Sequence, residues 1–121
     1  MENQELTPEQ VAELGRALVD LEQELLHDLD ASAGSAETVE LDQSKVGRLS
    51  RMDAMQQQAM AQATRRNLML RLRLCRAALI TFNEGEYGTC NMCDEDIGFK
   101  RLSVRPESPL CIACQRKSDR R

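Results

Sequence analysis

The stretch YGTCNMCDEDIGFKRLSVRPESPLCIACQ, residues 87–115, decides what kind of molecule this is. It holds Cys90, Cys93, Cys111 and Cys114 in a C-x2-C-x17-C-x2-C pattern. Two Cys-x-x-Cys pairs at such a separation are a zinc signature. Each tight knuckle directs two sulfurs at one point, and the second knuckle completes a tetrahedron around one Zn2+. Four protein ligands leave no open coordination position, so the expected metal is structural and not catalytic. The alternative is a pair of disulfides in a small secreted domain. The polar, acidic start MENQELTPEQ does not look like a signal peptide, which favours zinc and a cytoplasmic protein.

Outward from this stretch, composition limits the architecture. The chain has 121 residues, and aromatics make up only 2% of it, with no Trp. A bulky globular core is out of reach. The chain needs a metal staple or an elongated build. No apolar run is long enough to span a bilayer. The net charge of −4 conceals two unlike halves. Residues 1–45 carry twelve acids and two bases, a charge of −10, and residues 46–121 carry eight acids and fourteen bases, a charge of +6. The halves either attract two partners or attract each other, and periodicity favours the second.

Thr7 and Pro8 read as the N-cap and first position of a helix, with Gln10 closing a capping box and Leu6 and Val11 a hydrophobic staple. Val11, Leu14, Leu18, Leu21 and Leu25 step by 3, 4, 3 and 4, the seam of a coiled coil. Residues 31–40 are small and polar and read as a turn, with the lone histidine, His27, a solvated residue before it. A second helix is expected from near Ser50 to Asn83, with Gly85 as its stop. Its seam is Leu68, Leu72, Cys75, Leu79 and Phe82, preceded by a less regular set that includes Leu49, Met52, Ala59, Met60 and Ala63. Cys75 is expected to pack as a small apolar residue, a redox sensor being the alternative.

The expected fold is therefore mostly α. An antiparallel two-helix coiled-coil hairpin occupies residues 1–84, with its tip at about 31–50, and a four-cysteine zinc-finger module with a short C-terminal helix occupies 85–121. Placing Leu29 opposite Met52 gives a hairpin of roughly 35–40 Å, at about 1.5 Å per residue. In the zinc module Lys100, Arg101 and Arg105 are expected to offset the thiolate charge. A short extended segment is expected within Asp96–Leu102, and a helix from Pro109, capped by Ser108, would aim its N-terminus at the thiolates. The closing run of Arg116, Lys117, Arg120 and Arg121 reads as a solvated tail. No catalytic set or phosphate loop is visible, so the expected chemistry is binding, not catalysis.

Glu86-Tyr87-Gly88-x-Cys90-x-x-Cys93, Ile97, Arg101-Leu102, Pro106 and Leu110-Cys111-Ile112-x-Cys114 resemble the DksA/TraR family of bacterial transcription regulators. The resemblance implies a protein that binds RNA polymerase directly, inserts a coiled-coil tip into the secondary channel and modulates initiation together with ppGpp, without reading DNA sequence. For the tip it points to Asp53 and Ala54, then Asp42, although helix capping accounts for the same residues. For ppGpp it points to Arg105, before Pro106, and to Arg73, near the second-helix position where the family has a base and this chain has Leu74. Gln115 replaces the base after the last cysteine, and Asp94 replaces the glycine after the second. A monomer is expected, since the hairpin covers its own seam. The competing reading is a sequence-specific DNA-binding zinc finger, which shares the cysteine spacing. A pI near 5.1 argues against it. A C-x-x-C redox enzyme is a third reading, less suited to two pairs that fit one metal.

Overall fold

The computed structural model describes residues 5–33 and 48–120, the side chains of 48–50 excepted. Among the described residues four helices follow one another: α1 (Pro8–Ser32), α2 (Arg48–Asn83), α3 (Phe99–Val104) and α4 (Ile112–Asp119). Among the described residues there is no strand, only one antiparallel bridge between Thr89 and Asp96. No described helix is long and apolar enough to cross a membrane.

Helix α1 starts as its sequence dictates. The Thr7 hydroxyl accepts from the Gln10 amide, and the Gln10 side chain accepts from the Thr7 amide. Its seam faces inward: Leu14, Leu18 and Leu25 are buried. Helix α2 begins at Arg48, two residues before the expected start, and ends where Gly85 turns the chain with φ +77°. There the Gly85 and Glu86 amides donate to the carbonyls of Phe82 and Thr81, so the last turn keeps its acceptors satisfied.

The two helices are antiparallel, but in a different register from the one expected. Arg65 donates to the Leu29 carbonyl at 2.7 Å and to the Ser32 hydroxyl at 3.2 Å. Leu29 therefore meets α2 near Arg65, not Met52, a shift of 13 residues (65 − 52), or about 20 Å at 1.5 Å per residue. Further along, the Cys75 thiol donates to the Leu18 carbonyl at 3.3 Å, Arg76 pairs with Glu22 at 2.9 Å, and Gly15 lies under the ring of Phe82. The register is set from the zinc end. Leu14 is buried within the module's own core beside Cys90, Ile97, Leu102 and Cys114, with Leu6 packed on its margin.

The first turns of α2 also differ from the sequence reading. Met52, Met55 and Met60 are exposed, at 58%, 60% and 64%. Half-buried Arg51, Ala54, Gln58, Ala61, Arg65 and Leu68 step by 3, 4, 3, 4 and 3, and of the expected set Ala63 is half-buried beside them. That series runs in phase into Leu72, Cys75, Leu79 and Phe82. The seam is thus continuous, but its distal half is built from small and polar residues, which a search for apolar side chains passes over.

Candidate metal centre

The two knuckles converge. The Sγ atoms of Cys90, Cys93, Cys111 and Cys114 all lie within 4.8 Å of one another. Cys93 and Cys111 are 3.8 Å apart. That is the edge of a tetrahedron with metal–sulfur bonds of about 2.3 Å, the zinc–thiolate distance. It is far beyond a disulfide bond of about 2.05 Å, and all five cysteines are free. The donor set and its spacing therefore fit one structural Zn2+.

Backbone geometry creates the first knuckle. The Cys90 amide donates to Glu95 O, the Asp94 amide to Cys90 O and the Ile97 amide to Gly88 O. Asp94 sits at φ +63°, in the left-handed region. Aspartate tolerates that region better than most residues, which is how this chain replaces the glycine usual there. The second knuckle opens α4. Cys111 itself is the N-cap, and its sulfur accepts from the Cys114 amide at 3.5 Å. The expected helix start at Pro109, with Ser108 as cap, is thus three residues too early. Pro109 is engaged elsewhere, its carbonyl accepting from the Asn91 amide at 2.9 Å and tying one knuckle to the other.

Burial and hydrogen bonding act on the thiols in opposite directions. Burial pushes Cys90 up, but the backbone amides of Cys111, Cys93 and Met92 outweigh it and bring the thiol down to about 6. Cys114 is pushed up to about 12 by burial and by the three neighbouring cysteines. Four thiolates repel one another at this distance without a cation, and a divalent metal removes that conflict.

Around the centre, Arg101 makes a backbone contact. Its Nε donates to the Leu110 carbonyl at 3.0 Å, fixing the peptide that leads into Cys111. Lys100 and Arg105 are exposed. The expected extended segment is limited to the bridge at Asp96, and α3 follows from Phe99 with Leu102 wholly buried. Two further anchors join module to hairpin. Arg71 pairs with Glu107 at 2.9 Å, and the carboxylate is only 2% exposed. Tyr87 donates from its hydroxyl to Pro106 O at 2.8 Å and packs edge-on against Phe82, with ring centroids 5.9 Å apart. Nothing in the sequence signals that Arg71 pairs with Glu107. A lone Glu between a Pro and a Ser carries no local signal of burial.

The other expected site residues are scattered. Asp53 is exposed near the start of α2, while Ala54 beside it is half-buried in the seam. Asp42 lies outside the described residues. Arg73 and Arg105 are both exposed, one on α2 and one in the module.

Comparison with known proteins follows this division. Residues 85–120 match the family of prokaryotic dksA/traR C4-type zinc fingers. The RNA polymerase-binding transcription factor DksA of Haemophilus influenzae is 41% identical over 39 residues, which is 32% of this chain and 27% of that protein. The protein of the same name from Buchnera aphidicola is 47% identical over 32 residues, 26% of this chain and 21% of that protein. The matched stretch thus spans about a quarter of the length of these curated relatives. The structure of transcription factor DksA2 from Pseudomonas aeruginosa superposes with a TM-score of 0.69 at 22% identity, covering 93% of this chain and 85% of that one. The likeness in fold extends over the hairpin as well as the metal centre.

Proposed function

We propose that this chain, whose residues 85–120 match the dksA/traR C4-type zinc fingers, is a member of the DksA/TraR family that binds RNA polymerase directly and modulates transcription initiation by inserting the distal end of its hairpin into the secondary channel. The observation that carries this reading is a rigid base joined to a narrow probe. The four-sulfur cluster, Leu14 and the Arg71–Glu107 pair lock the module to the hairpin, and α2 then runs 36 residues, about 54 Å at 1.5 Å per residue. Such a probe reaches into a channel too narrow for a globular domain. Asp53 is exposed near its far end and is the acidic group best placed to act there, with Ala54 beside it and Asp42 the next candidate. The curated relatives carry the name of RNA polymerase-binding factors, which supports the partner.

In this reading the chain works as a monomer in the cytoplasm, and Arg105 and Arg73 are the residues that contact ppGpp in the polymerase complex. It does not read DNA sequence. The acidic pI of 5.1 and the seven acidic side chains of α1 repel a phosphate backbone. The test is retention of polymerase on immobilised chain, with and without a protein that occupies the secondary channel. Saturable retention that the channel-occupying protein displaces, and that Asp53→Asn weakens, is expected. No retention, or retention without competition, contradicts the proposal.

A further inference from the structure

A cleft of about 700 Å3 lies between α2 and the zinc module. Leu74, Ala78 and Thr81 of α2 line one side, and Tyr87 and Gly88 are among the residues that line the other. Its charged lining is acidic, from Glu86, Asp94 and Glu107, and among the described residues no basic one lines it. Glu107 adds an independent observation. The residue is 2% exposed, Oε2 is held by Arg71, and Oε1 is buried with no hydrogen-bond partner among the described residues. A buried carboxylate oxygen retains strong acceptor capacity, and leaving it unmet is costly. The single guanidinium of Arg71 does not balance three carboxylates.

We infer that this cleft is a binding site for an organic cation, an alkyl ammonium or guanidinium group. The charged head takes the Glu107 carboxylate together with Asp94 and Glu86, and the alkyl stem lies along Leu74 and Ala78. Such a head has several N–H donors, which suits a lining whose charged groups are all carboxylate acceptors. An anionic ligand is excluded from the cleft by the same carboxylates.

The test is a titration of isotope-labelled, zinc-loaded chain with spermidine and separately with N-acetylarginine methylamide, followed through the amides of Gly88, Asn91, Asp94 and Glu107. Saturable shifts at these amides are expected with at least one probe. Spermidine alone identifies a free polyamine site, and the arginine derivative alone a site for a partner's side chain. Inorganic pyrophosphate is expected to leave these amides unmoved. Asp94→Asn combined with Glu86→Gln alters only surface carboxylates and should weaken binding by about tenfold, the equivalent of two exposed ion pairs. Glu107→Gln, checked for retained zinc and melting temperature, should weaken it further. Shifts that stay linear with both cations, that persist in the double variant, or that pyrophosphate reproduces overturn the inference.

Discussion

Cys111 holds two roles in one sulfur, as a member of the tetrahedral cluster and as the cap of α4. Serine separates them, because its hydroxyl still caps a helix but binds zinc poorly. Cys111→Ser is expected to lose bound zinc and lower the melting temperature by about 10 °C or more, since metal binding and folding are linked in such modules. Metal analysis beside a thermal melt checks this, and an unchanged melt contradicts a structural role for the metal. Cys75 is a different kind of cysteine. It is wholly buried on the hairpin seam, and burial pushes its thiol up to about 11, with Glu22 and Glu107 adding to the shift. A thiol raised in the folded state contributes stability that is complete below pH 9, its unperturbed value, and lost as pH rises through about 11. Wild type should therefore lose melting temperature between pH 9 and 11 more steeply than Cys75→Ala. At neutral pH that variant should be less stable by about 1–2 kcal/mol from the lost packing. Equal slopes across the alkaline range contradict the assignment.

The helices show what a sequence can and cannot specify. The capping box at Thr7 and Gln10, the seam of α1 and the stop at Gly85 are local chemistry, and each forms as read. Register is not local. A seam that repeats every seven residues buries a similar surface after a slide of two heptads, and the observed shift of 13 residues is close to that. What selects the register is tertiary: Leu14 in the module core, and Gly15 against Phe82. A methyl group on Gly15 would fall 2.4 Å from the Phe82 ring, which also packs edge-on with Tyr87. Gly15→Ala should therefore cost about 1–3 kcal/mol in denaturant unfolding, as overpacking does. Phe82→Leu in the same chain should recover part of it. The metal centre was legible almost completely, because two knuckles report their geometry in spacing alone. Glu107, Arg71 and the distal seam were not, since burial of a polar side chain depends on neighbours remote in sequence.

As a whole the molecule is a lever with a stiff joint. The four-cysteine module, residues 85–120, grips α1 through Leu6 and Leu14 and α2 through Arg71, and α2 runs outward to Asp53. Direct placement of that distal end is decided by site-specific crosslinking. A photoreactive amino acid at Met52, which is exposed beside Asp53, is activated in the presence of RNA polymerase and the crosslinked peptide is identified. The expected result is a crosslink to residues lining the secondary channel, abolished when another protein occupies it. A crosslink that maps only to the polymerase exterior, or none at all while the chain remains bound, contradicts it.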